Sequence, residues 1–123
     1  MAIEDLVEEA HATATDAEFS EVATELQRVL GQKLVAFAIG DRHPKTIGRY
    51  ARGEREPDDE AGPRLVNLFT VVTMLRNAMT DRAVKSWMMG MNPRLEGAAP
   101  IEVFHDDRPF EVMGAAKAYL ARR

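Results

Sequence analysis

Five cations lie close together in a short segment of an otherwise acidic chain. The 123 residues carry a net charge of −4, and the first 25 contain eight acids and no lysine or arginine. The cations of the segment are Arg42, Lys45, Arg49, Arg52 and Arg55. Arginine and lysine contact DNA phosphates, and arginine can also donate two hydrogen bonds to guanine. Because the acidic remainder repels DNA, the segment predicts one focused contact with a duplex.

A helix over this segment would place three of the cations on one face. With 100° per residue, Arg49 and Arg52 fall within about 40° of Lys45, and Thr46 lies at about 100°. We therefore predict that Thr46 belongs to the exposed, hydrogen-bonding face. A solvated charged face without a ligand is the simpler interpretation of any such pattern.

The opposite face of the same helix carries Ile47 and Tyr50. We predict that both are buried and anchor the helix to Leu34 and Phe37 of the preceding apolar segment. The connection between the two segments is short. It ends at Pro44, whose fixed φ suits the first turn of a helix.

Helical periodicity continues through the chain, without sustained alternation of β-branched residues, so we predict an all-α protein. In the N-terminal half, helices are predicted near residues 6–10, from an Asp16 cap to Gly31, over residues 34–39, and from Pro44 to Gly53. In the C-terminal half, a long helix is predicted over residues 65–79, with Pro63 in its first turn, and another begins at Asp81. A short turn over residues 101–104 precedes a last helix that carries Phe110, Met113, Ala116 and Leu120.

An apolar helix, a tight turn and a short helix with an outward cationic face form a helix-turn-helix, whose second helix enters the major groove. We expect a helix-turn-helix bundle that is continuous with a C-terminal helical domain. The predicted organisation is an acidic extension over residues 1–25, the helix-turn-helix over 26–63 and the helical domain over 64–123.

Two sequence blocks resemble known families. Residues 30–57 resemble the Xre-type helix-turn-helix in the run Thr46-Ile47-Gly48-Arg49-Tyr50, followed by Gly53, Arg55 and Pro57. Residues 84–104 and the helix after them resemble the toxin-binding domain of Xre/MbcA/ParS antitoxins. The marks of that second block are Trp87, the turn Asn92-Pro93-Arg94-Leu95, and the segment Pro100-Ile101-Glu102-Val103.

This resemblance implies an antitoxin of a type II toxin-antitoxin system. Such a protein would neutralise a RES-domain toxin, a NAD-consuming enzyme, through its C-terminal helices, and repress its own operon through operator DNA. Family members are often homodimers or larger assemblies with the toxin. Gly48 departs from the family, because a polar residue is more usual there, and we interpret this as the loss of one base contact.

The C-terminal half offers a candidate toxin-binding surface. The loop before Pro100 is rich in proline and glycine, which order an irregular surface at low entropic cost. We predict that its tip contributes Met91, Asn92, Pro93, Arg94 and Leu95, and that Arg108, Lys117, Arg122 and Arg123 meet acidic or phosphate-like groups of the toxin. The terminal pair could equally favour the helix C-terminus through its dipole. Most methionines, and Trp87, are predicted to fill the core.

Other classes of function find little support. The chain has no cysteine, and His11, His43 and His105 lack the spacing of metal ligands, so we expect no metal site and no cofactor. No nucleophile–base pair, carboxylate dyad or phosphate loop indicates an enzyme. The acids Asp58, Asp59 and Glu60 are expected to cap a helix. A stand-alone transcription regulator or phage-type repressor is the alternative to the antitoxin.

The N-terminal residues do not resemble a signal peptide, and no apolar run is long enough to span a membrane, so we expect a cytoplasmic protein. The acidic extension over residues 1–25 has no counterpart in the family. One hypothesis is that it competes with DNA for the basic helix.

Overall fold

We describe a computed structural model of the chain over residues 18–122. Within this range the chain forms seven α-helices and one 3-10 turn, with no strand, which confirms the all-α prediction. The helices are α1 (Phe19–Leu30), α2 (Gln32–Ile39), α3 (Lys45–Ala51), α4 (Ala61–Arg76), α5 (Asp81–Met89), α6 (Pro100–His105) and α7 (Pro109–Ala121), and the 3-10 turn is Pro93–Leu95. The helix predicted near residues 6–10 lies outside the described residues.

Side chains cap two of the helices close to the predicted positions. Asp58 Oδ1 accepts hydrogen bonds from the backbone N–H groups of Glu60 and Ala61 at 3.1 and 2.8 Å, at the start of α4. Thr80 Oγ1 accepts from Ala83 N–H at 3.2 Å and begins α5. These contacts satisfy amide groups that have no partner within the first turn of a helix.

The start of α1 differs from its prediction. Glu18 occupies the N-cap position and makes no side-chain capping bond. The predicted cap, Asp16, lies outside the described residues.

One continuous hydrophobic core joins the two predicted halves of the chain. It includes Val22 and Leu26 of α1, Ile47 of α3, Leu68 of α4 and Phe104 of α6, all buried. Helix α1 packs against α3 and α4, α2 packs against α6, and α4 packs against α7. Helices α1 to α3 therefore pack directly on the C-terminal helices.

Four charged side chains link α1, α4 and α5 at one edge of the bundle. Arg28 contacts Glu25 at 2.7 Å and Asp81 at 2.6 Å, and Arg76 contacts the same two carboxylates at 2.9 and 3.0 Å. Hydrogen bonds from Arg28, with those from Arg76, hold the pKa of both carboxyls below their usual values. Each carboxylate thus bridges two helices that are distant in sequence.

Arg64 of α4 joins the C-terminal ends of α2 and α6. Its Nη2 donates to the carbonyl oxygens of Ala38, Phe104 and His105, at 3.1, 3.3 and 2.9 Å. The side chain is 15% exposed, and Nε lies 3.9 Å from the Asp107 carboxylate, too far for a hydrogen bond. A guanidinium between two helix ends stabilises both, because those ends carry unpaired carbonyls and partial negative charge.

Two aromatic side chains lie outside the core, contrary to prediction. Phe37 is 41% exposed and stacks on the His105 ring, with centroids 4.2 Å apart, whereas we expected it to anchor α3. His105 Nδ1 lies 2.7 Å from the Phe37 carbonyl oxygen, so this nitrogen carries the proton and donates. Phe110, expected on the apolar face of α7, is 77% exposed. Helix α2 packs against both α3 and α6, and the Phe37 ring contacts α6 through His105.

The methionines divide between core and surface. Met74 and Met88 are buried and Met79 and Met113 pack against the core, which confirms the core prediction for these four. The remaining two in the C-terminal half, Met89 and Met91, are 53% and 84% exposed.

Candidate functional site

The connection between α2 and α3 spans five residues and turns the chain tightly from one helix into the next. Gly40 ends α2 with φ 78° and ψ 21°, and the next N–H, of Asp41, donates to Ala36 O at 2.9 Å. Asp41 Oδ1 then accepts from His43 N–H at 2.8 Å, and Pro44 leads into α3 with helical dihedrals. These local bonds fix the angle at which α3 leaves the turn.

Gly40 meets two structural demands at once. Its positive φ is a backbone conformation that glycine adopts without strain, and a Cβ placed there would lie 3.0 Å from Arg64 Nη1. The turn and the Arg64 contact therefore depend on the same residue.

Three cations of α3 and the segment after it line one depression, which we call the basic concavity. It has a volume of about 480 Å³ and is lined by His43, Pro44, Lys45, Thr46, Arg49 and Arg55. Lys45, Arg49 and Arg55 are exposed, so their positive charges are available to a phosphate backbone. The predicted exposure of Lys45 and Arg49 on one face of α3 is confirmed, and Arg55, beyond the end of the helix, is exposed as well.

The other predicted cations occupy different surroundings. Arg52 is exposed but forms an ion pair with Glu54, with Nε 3.0 Å from the carboxylate. Its hydrogen bond to that carboxylate lowers the pKa of Glu54. Arg42 is exposed in the turn and does not line the basic concavity. Arg52 therefore offers less free charge to a ligand than Arg49.

The inward face of α3 corrects two predictions. Ile47 and Tyr50 are buried as expected, but Thr46 is also buried, at 5% exposure, although it was assigned to the exposed face. Gly48 is buried too, and a Cβ there would lie 2.8 Å from Gln32 Nε2 of α2. A helical wheel places residues by angle alone, and here α2 approaches closely enough to cover the flank of α3. Gly48 thus lies beneath the ends of the Gln32 and Arg52 side chains, and its lack of a side chain removes no exposed contact.

A second, larger depression lies between α5, α7 and the loop that follows α5, and we call it the α5–α7 groove. Its volume is about 850 Å³, and Arg82, Trp87, Met91, Asn92, Pro93 and Tyr119 are among its lining residues. A smaller depression of about 140 Å³ adjoins it, where Asn92, Pro93 and Arg94 face Tyr119 and Arg122. The loop containing Asn92 and Pro93 thus separates two depressions.

Local hydrogen bonds hold this loop in shape. Asn92 Oδ1 accepts from Arg94 N–H at 2.9 Å, and Asn92 N–H donates to Ala98 O at 3.1 Å. Glu102 closes the far end of the loop by accepting from Ala99 N–H at 3.0 Å. Met91, Pro93 and Arg94 are therefore exposed on an ordered loop.

The structure brings together five of the predicted toxin-binding residues, namely Met91, Asn92, Pro93, Arg94 and Arg122. Leu95 is buried at 7% exposure and does not form the predicted apolar tip, because the 3-10 turn directs it into the core. Arg108 forms an ion pair with Glu111, 2.5 Å away, and lines neither depression. Lys117 is half-buried and also lines neither, and Arg123 lies outside the described residues.

The sequence did not indicate that Tyr119 and Arg82 belong to this surface. Trp87 and Tyr119 come from α5 and α7, and their rings lie 6.3 Å apart, tilted by 55°. Tyr119 is 43% exposed, on the side of α7 opposite to Phe110. Only the packing of α7 beside α5 unites these residues, so no short motif could have revealed them.

The described residues contain no helix that is long and apolar enough to cross a membrane. The same part of the chain contains no cluster of three or more histidines and acids that could hold a metal ion.

Comparison with known proteins gives one informative similarity. The chain is 32% identical over 74 residues to the "Probable mycobacterial cidal antitoxin Rv3188" of Mycobacterium tuberculosis. The alignment covers 58% of this chain and 64% of that protein, so the chain spans less than two-thirds of its relative's length. No family model matches the chain. No solved structure matches it either.

Proposed function

We propose that this chain is the antitoxin of a toxin-antitoxin system, binding its toxin through the α5–α7 groove and operator DNA through α3. The observation that carries the proposal is the 32% identity to a protein named as an antitoxin. The resemblance of Trp87, the Asn92-Pro93 turn and the following segment to Xre/MbcA/ParS antitoxins supports a RES-domain, NAD-consuming toxin as the partner.

The α5–α7 groove has the composition of a protein-binding surface. Met91 is 84% exposed and Tyr119 is 43% exposed, and large apolar side chains in such positions lose contact with water when a partner covers them. Arg94 and Arg122 border the same surface and can pair with acidic groups. The matching surface on the toxin would be apolar at its centre and acidic at its edge.

The toxin-binding proposal is tested by co-expressing this chain with the protein encoded by the neighbouring gene. We expect the two to co-purify, and Met91→Asp to weaken the complex by at least about tenfold, because a charge at a buried contact costs about 1.4 kcal/mol or more. Phe110→Asp is the matched control, since Phe110 is similarly exposed but lines neither depression. Equal affinity of the two variants would contradict the assignment of this groove.

The DNA-binding proposal is tested on α3. Arg49→Ala should weaken binding to the operator and reduce the slope of log K against log salt by about 1, because one phosphate contact is lost. Arg52→Ala should have a smaller effect, since Glu54 already pairs with Arg52. An unchanged salt slope in Arg49→Ala would count against α3 as the recognition helix.

Operator binding by a helix-turn-helix commonly uses two copies on two half-sites, which favours a homodimer or a larger assembly with the toxin. Light scattering of the chain alone and with its partner measures this. If the chain bound its operator but retained no partner from its own operon, the stand-alone regulator would be the better description.

A further inference from the structure

The hydroxyl group of Thr46 is buried without a hydrogen-bond partner in the described part of the chain. Thr46 and Thr70 are the two buried polar residues there, at 5% and 1% exposure. Thr70 Oγ1 donates to the carbonyl oxygen of Val66 at 2.9 Å, one turn earlier in α4. The Thr46 hydroxyl makes no such bond within α3. Because a buried hydroxyl without a partner costs free energy, its presence calls for an explanation.

The Thr46 hydroxyl is not sealed inside the protein. Over residues 18–122, Arg64 Nε is the one side-chain nitrogen or oxygen that is both fully enclosed and without a partner. The Thr46 hydroxyl, which also lacks a partner, therefore keeps contact with solvent. Thr46 lines the basic concavity and is otherwise covered by protein, so this contact lies in the concavity.

The surroundings of this hydroxyl are positive. Lys45, Arg49 and Arg55 are exposed and line the same concavity, and its described lining contains no aspartate or glutamate. Glu54 belongs to the same segment, but its carboxylate accepts from Arg52 Nε and Nη2 at 3.0 and 3.2 Å. The concavity thus combines three cations at its rim with a hydroxyl that has no protein acceptor.

A phosphate group matches these donors. A ligand that contacts three cations and a hydroxyl together needs negative charge and several acceptor oxygens, and a phosphate carries more of these than a carboxylate does. Lysine, arginine and threonine side chains are all common donors to phosphate oxygens. The volume of about 480 Å³ lies in the range of small-molecule sites, so a phosphodiester has room to enter.

We propose that the basic concavity is a phosphate-binding site in which the Thr46 hydroxyl donates a hydrogen bond to a phosphate oxygen and the surrounding cations supply the charge. The phosphate belongs either to the backbone of a duplex or to a free phosphate compound. The first source rests on the proposed DNA binding, whereas the site itself does not. The acidic residues 1–17, suggested above as a competitor for this surface, lie outside the described residues.

The test removes the hydroxyl and keeps the shape of the side chain. Thr46→Val should leave the melting temperature unchanged or higher, because the lost hydroxyl has no protein partner. Thr46→Ser, which keeps a hydroxyl, should bind as the unaltered chain does. Thr70→Val is the matched control, since Thr70 is equally buried but does not line the concavity. Circular dichroism of the full-length variants measures the melting temperatures.

The first measurement uses inorganic phosphate as the probe. Sodium phosphate is titrated into the full chain, and the amide chemical shifts of residues 43–55 are compared with those in sodium chloride and sodium acetate at equal ionic strength. We expect phosphate-specific shift changes in the unaltered chain and in Thr70→Val, and about three- to tenfold weaker phosphate binding in Thr46→Val. Equal shift changes with acetate or chloride in the unaltered chain would overturn the phosphate site.

The second measurement is the affinity for a fluorescent duplex over a range of salt concentrations. If the duplex backbone supplies the phosphate, Thr46→Val should bind about three- to tenfold more weakly than Thr70→Val. The slope of log K against log salt should not change, because a hydroxyl carries no charge.

The two measurements separate the possible outcomes. Weaker binding of inorganic phosphate with unchanged duplex affinity would support the site and assign it to a free phosphate compound. If Thr46→Val matched the unaltered chain with both probes, the role of Thr46 would be disproved. If the unaltered chain bound no duplex at all, the DNA-binding proposal would fail, and the phosphate titration alone would decide whether the site exists.

Discussion

At the scale of single residues, the Arg64 side chain binds carbonyl groups at the C-terminal ends of two helices. It reaches from α4 to carbonyl groups at the ends of α2 and α6, and these two helices belong to different halves of the predicted organisation. Its sequence neighbourhood, Pro63-Arg64-Leu65, indicates only an arginine in the first turn of a helix. Arg64 therefore joins the two halves of the chain, although no sequence motif marks it.

Replacing Arg64 with methionine should lower the free energy of unfolding by about 2–4 kcal/mol, because part-buried carbonyls lose a charged donor. Methionine keeps most of the apolar length of the side chain, so the loss reports the hydrogen bonds. Arg82→Met, at an exposed position of α5, should change the free energy of unfolding by less than about 0.5 kcal/mol. Urea unfolding of both variants provides the comparison, and similar stabilities would argue against this role.

At the scale of elements, Gly53 and Gly114 differ in backbone conformation, although both have open space where a Cβ atom would lie. Gly53 follows α3 with φ 70°, whereas Gly114 lies within α7 at an exposed position. A Cβ at either position would meet nothing within 4 Å. Any difference between their alanine variants therefore comes from the backbone.

Gly114→Ala should stabilise the protein by about 0.5–1 kcal/mol, because alanine favours the helix and restricts the unfolded chain. Gly53→Ala should destabilise it by about 1 kcal/mol, since alanine is strained at positive φ. Thermal unfolding monitored by circular dichroism distinguishes the two variants. Shifts of the same sign would mean that one of these backbone conformations is wrongly assigned.

At the scale of the whole molecule, the charged network of Glu25, Arg28, Arg76 and Asp81 joins three helices from both halves. Its members are partly exposed, so each pair separately contributes little at moderate salt. Its importance lies in connecting α1, which supports α3, to α5, which borders the groove.

This network predicts how stability depends on pH. The pKa values of Glu25 and Asp81 are lowered from 4.5 and 3.8, so their contribution is present above these values and is lost as pH falls through the lowered pKa. The free energy of unfolding should therefore fall as pH is lowered below about 5. The double variant Glu25→Gln and Asp81→Asn should show a shallower fall in equilibrium unfolding series, and an equally steep one would exclude the network as a cause.

The sequence by itself determined the helical class, the turn between α2 and α3, the cap at Asp58, the start of α5 at Asp81, and the burial of Ile47 and Tyr50. These features follow from local periodicity and from residues whose conformational preferences act over a few positions. The exposure of Lys45 and Arg49 was predictable for the same reason, because their spacing puts both on one face of α3.

Only the tertiary structure decided which flank of α3 is covered, and it buried Thr46 and Gly48 against expectation. It also places the Trp87 and Tyr119 rings beside each other and buries Leu95 in the core. The Arg64 side chain donates hydrogen bonds to carbonyl groups at the ends of two helices. In each case a residue's surroundings are supplied by a helix distant in the chain. Periodicity specifies which face of its own helix a side chain lies on. The helices that pack against that face determine whether the side chain is exposed to solvent, buried in the core or in contact with another element.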